Sequence, residues 1–189
     1  MRRTGDHTKA RTSALAAIAQ RGGFGASNGA SGLEISVRHP ASIVSVISRR
    51  GQLQDLTNAL AVRKDCEVRW AGFEQFYVVK NEPADGILYQ ILKQELGTLA
   101  SVIDQSHGRV IIRISGSKAR AVLAKGTPID LHSDEFPVGR CAITQMAHVS
   151  AHLVRTGADA FELSVFRGFA ESFWEWLTIQ SEEFGYVVT

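Results

Sequence analysis

Two histidines, His148 and His152, stand four residues apart, the spacing that on a helix would let both imidazoles reach one zinc ion. The surrounding run Ala147-His148-Val149-Ser150-Ala151-His152-Leu153-Val154 reads as strand instead. Both rings would then share one side of a pleat, with no acid between them and no third ligand nearby, so a metal site is not expected. Ser115-Gly116-Ser117-Lys118 contains a fragment of a phosphate loop but lacks the earlier glycine that such a loop needs, and Ser117 reads better as a helix cap. Gly22-Gly23-Phe24-Gly25 has neither the preceding strand nor the following helix that dinucleotide binding requires. Asp130, His132, Asp134 and Glu135 crowd one loop and could exchange protons, yet without a nucleophile or metal signal they read as solvated or as a partner contact. Cys66 and Cys141 lie far apart in strand-like sequence, with no second thiol close by, and read as reduced cysteines of a cytoplasmic protein.

The elements that must position these groups follow from hydrophobic periodicity. Residues 1–32 combine a short alanine-rich helical stretch, Ser13–Gln20, with Gly22, Gly23, Gly25, Gly29 and Gly32, too little apolar surface to order itself alone; they form a flexible arm, ordered only where something holds it. From Leu33 the residues alternate, Leu33, Ile35 and Val37 against Glu34, Ser36 and Arg38, so a single domain spans residues 33–189. Ile43–Ile47 is a second strand, and Leu53, Leu56 and Leu60 form the stripe of a helix opened by Gly51. Val68–Trp70 and Phe76–Val79 bracket a turn, after which Ile87, Leu88, Ile91, Leu92 and Leu96 recur at helical spacing until Gly97. Leu99–Asp104 and Arg109–Ile114 flank Gln105-Ser106-His107-Gly108 as a β-hairpin. A short helix, Lys118–Ala124, leads to the proline-bearing connection Asp130–Gly139, then to strands Cys141–Val149 and Ala160–Val165, and a last helix, Phe169–Phe184, is stopped by Gly185. The fold class is α+β, one mostly antiparallel sheet with helices on one face.

Composition excludes several function classes. With 44% hydrophobic and 21% charged residues the chain is neither disordered nor fibrous. The net charge of +2 is uneven: residues 1–33 carry five basic residues and one acid, so the remainder is net −2. A basic arm whose one aromatic is Phe24 is no nucleic-acid footprint, and no apolar run approaches a membrane span or an export signal.

Some residues are familiar as a set. Asp104-Gln105-Ser106-His107-Gly108-Arg109, Arg113-Ile114-Ser115-Gly116, Ala124-Lys125-Gly126-Thr127-Pro128-Ile129-Asp130-Leu131-His132 and Phe136-Pro137 resemble the gamma subunit of heterotetrameric sarcosine oxidases. Phe161–Arg167, Phe169-Ala170-Glu171-Ser172-Phe173-Trp174-Glu175-Trp176-Leu177 and Glu183-Phe184-Gly185-Tyr186 are similar to the closing helix of that family. The match is strong from Leu99 to Tyr186; before it only Arg49-Arg50-Gly51-Gln52 and Trp70-Ala71-Gly72 fit. Gly168 stands where the family pattern suggests serine.

The resemblance implies a fold similar to the folate-binding domain of glycine-cleavage aminomethyltransferases. It implies a non-catalytic structural subunit of a complex that oxidises sarcosine to glycine, with formaldehyde, or methylenetetrahydrofolate when tetrahydrofolate is the acceptor, and hydrogen peroxide. Alpha, beta and delta subunits are the implied partners, chiefly alpha, with FAD, FMN, NAD and zinc carried by those other subunits and no cofactor in this chain. Two alternatives are a gamma-like subunit of a related dehydrogenase, such as one for N-methylglutamate, and a stand-alone folate-binding module. The acidic turn by which aminomethyltransferases present a carboxylate to folate has no counterpart in Ala147–Val154, which removes the obvious proton acceptor. Trp174 and Trp176 sit two apart, so a helix cannot bury both; one is expected in the core and one at a partner interface, together with His132 and Phe136.

Overall fold

Strands buried on both faces where two sheets and their helices stack, and three-to-four spacing along the helices, generate the architecture. The computed structural model describes residues 12–26, 31–82 and 85–189. In chain order it forms β1 (Gly22–Phe24), β2 (Leu33–Arg38), β3 (Ser42–Ser48), α1 (Leu53–Ala61), β4 (Glu67–Gly72), β5 (Gln75–Lys80), α2 (Ile87–Leu96), β6 (Ala100–Asp104), β7 (Arg109–Ser115), α3 (Ala119–Ala124), β8 (Cys141–Met146), β9 (Val149–Gly157), β10 (Ala160–Phe166), α4 (Ala170–Ser181) and β11 (Tyr186–Val188). The strands make two sheets rather than one, in the orders β1-β11-β2-β7-β10-β9-β8 and β4-β5-β3-β6. Pairing is antiparallel except between β11 and β2.

Each sheet carries its helices on one face. Ile35, Ile112, Ile114, Leu153, Phe161 and Leu163 of the large sheet pack on Val122 and Leu123 of α3 and on Phe173, Trp174 and Leu177 of α4. Val44, Val46 and Val78 of the small sheet pack on Leu56 and Leu60 of α1 and Leu88, Leu92 and Leu96 of α2. The two remaining faces meet, with Ile43, Ala71, Tyr77 and Val79 against Ile111. Full burial of a Leu or Phe contributes roughly 1.5–3 kcal/mol, so the two helix-covered cores hold most of the stabilising apolar surface.

Four local expectations are corrected. Leu99–Asp104 and Arg109–Ile114 are not a hairpin: β6 pairs with β3 and β7 with β2 and β10, so Gln105–Gly108 is the corner where the chain changes sheets. Ser106 fixes that corner, its buried Oγ accepting from the Ile43 N–H at 2.9 Å, while Asp104 Oδ1 accepts from the Ser106 N–H. The strand expected over Cys141–Val149 is a tight hairpin, β8 to β9, turning at Ala147 and His148 with φ of 51° and 67°. A two-residue turn with both φ positive matches the strand twist, and packing of both strands imposes it without the usual Asn-Gly signal. Ser13–Gln20 forms successive turns instead of a helix, and α3 begins after Lys118 with no side-chain cap from Ser117. Within the segment read as an arm, residues 12–26 are held by the body: Leu15 is fully buried in the main core and β1 pairs with β11. Residues 1–11 and 27–30 of that arm lie outside the described residues.

The last helix follows its periodicity. Ala170, Phe173, Trp174, Leu177 and Ser181 are buried on one face, and Gly185 ends the segment at φ 67°, where a Cβ would stand 2.7 Å from the Ala26 carbonyl oxygen. Phe169, expected on that face, is exposed, and Gly168 lies in the 3₁₀ turn leading into α4, which has no side-chain cap. Among the described residues no helix is long and apolar enough to cross a membrane.

Candidate functional site

The periodicity that buries one face of β10 in the core turns Glu162 and Ser164 toward the small sheet, and β4 answers with Arg69. Glu162 is 1% exposed at the centre of a charged cluster. Its Oε2 accepts from Arg38 Nη1 at 3.0 Å and Arg69 Nη2 at 2.5 Å, and its Oε1 accepts from Arg113 Nη2 at 2.8 Å and Nε at 3.2 Å. Glu67 takes Arg38 Nη2 at 2.6 Å and Arg69 Nε at 3.2 Å. Burial works to raise the Glu162 pKa, but the charges and hydrogen bonds of Arg69, Arg38 and Arg113 overcome it and hold the carboxyl below its ordinary value. Glu67 is lowered likewise, burial being outweighed by Arg38 and Arg69. Both carboxylates are therefore saturated and ionised, and neither is free to take a proton from a ligand.

Arg155, also buried, lines the same region, with no carboxylate partner among the described residues. Its guanidinium donates to the carbonyls of Gly157 at 3.1 Å, Phe136 at 2.9 Å, Ser133 at 3.4 Å and Ala158 at 2.6 Å. This arginine organises the connection Asp130–Gly139 by binding its backbone. Arg69, Arg113 and Arg155 against Glu67 and Glu162 leave a net +1 on a cleft of about 440 Å³, which shares Val68, Gly139 and Cys141 with a second cleft of about 400 Å³ beside Trp70 and Arg140, and Arg140 brings the two clefts together to a net +2.

Between the sheets, His152 lies 3% exposed, its Nε2 2.7 Å from the Trp70 carbonyl oxygen and its ring edge-on to Tyr77. Burial pushes its pKa down to about 4, opposed by the bond to Trp70 and assisted by the charges of Arg69 and Arg109. The neutral ring therefore donates to Trp70 and fastens β9 to β4 across the seam. Arg109 stacks between Tyr77 and Phe166 at 4.9 and 4.2 Å from the ring centroids, with burial lowering its pKa against the pull of Tyr77.

The residues singled out from sequence are scattered. His148 sits in the β8–β9 turn, away from the buried His152, and among the described residues no three His, Cys, Asp or Glu side chains stand close enough to share a metal. The side chains of His132 and Asp134 are 63% and 81% exposed, with Nδ1 and Oδ2 3.6 Å apart. Phe136, expected at an interface, is buried in the main core. Trp174 and Trp176 do not divide as one inward and one outward: Trp174 is 5% exposed and Trp176 is half-buried. Trp176 reaches cover by lying over Gly126, where a Cβ would stand 2.5 Å from its ring. The Lys125-Gly126-Thr127 sequence hides the second indole, which helix periodicity could not reveal. Burial raises the pKa of both thiols, Cys66 and Cys141, against the nearby arginines. Sequence reasoning passed over the arginine cluster because Arg38, Arg69, Arg113 and Glu162 look like ordinary solvent-facing alternates; their shared parity facing a second sheet was the available signal.

Residues 36–183 match the model of the sarcosine oxidase, gamma subunit family. The chain is 34% identical over 119 residues to the sarcosine oxidase subunit gamma of Corynebacterium sp. (strain U-96), a stretch covering 62% of this chain and 57% of that one. It is 29% identical over 134 residues to the Arthrobacter sp. subunit gamma, covering 71% and 66% respectively, so the matches span about three fifths to two thirds of those relatives' lengths. The fold is shared with a chain of the heterotetrameric sarcosine oxidase from Corynebacterium sp. U-96, at a TM-score of 0.78 and 24% identity, over 92% of this chain and 96% of that one. It is also shared with aminomethyltransferase T of the glycine cleavage system from Bartonella henselae, at a TM-score of 0.60 and 17% identity, over 80% of this chain and 47% of that one. The match across most of the domain, with the α+β fold that the residues led to, establishes that this chain belongs to the sarcosine oxidase, gamma subunit family.

Proposed function

We propose that the chain is a structural subunit of a heterotetrameric sarcosine oxidase, contributing assembly and not chemistry to the oxidative demethylation of sarcosine. Membership of the gamma subunit family over residues 36–183 carries this reading. The site geometry supports it, because the acid and base groups between the sheets are committed: Glu162 and Glu67 to arginines, His152 to the Trp70 carbonyl. The partners are alpha, beta and delta subunits, with alpha the principal contact. FAD, FMN, NAD and zinc reside in those chains, and tetrahydrofolate serves as acceptor there. Co-expression with the three partners tests this: the chain should co-purify stoichiometrically with alpha, and a chain that elutes alone in their presence overturns it.

The fold shared with an aminomethyltransferase favours one other reading, a folate-binding module. Calorimetric titration of the isolated chain with tetrahydrofolate separates the two. No heat is expected, and micromolar binding would install the folate module instead.

A further inference from the structure

The small sheet ends at β4 and the large sheet at β8, and these two edges lie together. Apolar side chains emerge along that seam: Trp70 is 48%, Phe73 88%, Val138 58% and Ile143 48% exposed. They belong to neighbouring segments, since β4 and β8 lie side by side with Ile143 Cδ1 3.8 Å from where a Cβ on Gly72 would stand, and Val138 lines the arginine cleft that adjoins Trp70. Isolated exposed apolar residues need no explanation, whereas an aromatic-bearing group beside a cleft has the make-up of an interface core. The flank is cationic. Arg140 is exposed there, Arg113 is half exposed after pairing with Glu162, and the two adjoining clefts are lined by Arg69, Arg113, Arg140 and Arg155 against Glu67 and Glu162, a net +2 among their lining residues.

We propose that the β4–β8 seam is the docking surface for a partner subunit of the complex, engaged by a segment that pairs apolar side chains with carboxylates. The inference rests on the structural-subunit reading above and identifies the face through which assembly occurs. Trp70 and Phe73 would anchor the apolar side chains, while Arg140 and Arg113 would receive the carboxylates. A second copy of this chain does not fit, because a two-fold contact would set the cationic seam against itself. The glutamate nearest the aromatics, Glu74, lies at the tip of the β4–β5 turn and leaves the cleft side positive.

The test uses the full-length chain with the co-expressed alpha, beta and delta subunits. Trp70→Ala combined with Phe73→Ala should weaken association about thirtyfold or more, as loss of a central aromatic anchor does. Arg140→Glu should weaken it about tenfold and flatten its salt dependence, as reversal of a complementary charge does. A control pair on the α4 side, Phe169→Ala with Ile179→Ala, should bind within about twofold of the unaltered chain, the range of surface positions outside a hot spot. Unchanged thermal midpoints confirm that each variant folds. If the unaltered chain joins the complex and the seam variants join it equally well, this inference alone is overturned. Equal loss in the α4 control, or loss of self-association of the isolated chain in place of loss of assembly, overturns it too. Failure of the unaltered chain to join overturns both this inference and the function it rests on.

Discussion

At Glu162 the number of partners decides the residue's role. One carboxylate balances donors from Arg38 and Arg113 of the large sheet and Arg69 of the small one. Glu162→Gln keeps the shape but leaves three guanidinium groups short of a counterion, and urea titration should show a loss of about 3–5 kcal/mol. His152 makes the fold pH-sensitive in a definite direction. The unfolded chain takes up the imidazole proton below about pH 6.5, whereas the folded chain keeps the ring neutral down to about pH 4. The unfolded state thus binds protons first, and stability falls between those values by up to about 3 kcal/mol. Denaturant titrations across pH 7 to 4 should show this slope, and His152→Gln, which can still donate to Trp70, should flatten it; an unchanged slope would assign the loss to other groups. Below about pH 4.5 the lowered pKa values of Glu162 and Glu67 add a further decline, because their paired, ionised forms are lost as the pH drops through the folded values.

Among the elements, α4 shows how a neighbouring loop completes what a helix begins. Its own periodicity buries Phe173, Trp174 and Leu177, and Trp176 is covered because Gly126 lets the loop after α3 approach its ring. Gly126→Ala forces the ring or the loop aside and should cost about 1–3 kcal/mol. Adding Trp176→Ala should recover part of that loss, so the double-mutant cycle will be non-additive, whereas additivity would mean that the two groups do not touch. The helices themselves were legible in sequence, because Leu56 and Leu60, or Leu88, Leu92 and Leu96, announce a buried stripe. The β8–β9 turn was not, since Ala147-His148 carries no turn chemistry and adopts positive φ only because both strands are packed.

On the scale of the whole molecule, two helix-covered sheets are joined through a middle layer in which the apolar contacts of Ile43, Ala71, Tyr77, Val79 and Ile111 are supplemented by buried ion pairs and hydrogen bonds. Ser106 is one of its fasteners, and Ser106→Ala removes the acceptor of the Ile43 N–H at the sheet-changing corner. A loss of about 1–3 kcal/mol is expected, the cost of an unsatisfied buried donor. Hydrogen exchange should show protection falling in both β3 and β7, and a decrease confined to β3 would mean that the corner does not couple the sheets.

Local pattern in the sequence was enough for the α+β class, for most strands and helices and, through residues from Leu99 to Tyr186, for the family resemblance. Period-two and period-3.6 burial are properties of short stretches, so one chain read alone displays them. Which strands share a sheet, what the polar face of β10 meets and where two tryptophans find cover depend on residues tens of positions apart, such as Arg69 and Glu162. Tertiary structure alone decided those, because alternation tells a strand that one face is polar without saying whether that face meets water or a second sheet. In the Phe166–Tyr186 segment that resembled the family ending, both tryptophans found cover, and the exposed tryptophan is Trp70, beside Phe73 where two sheet edges meet.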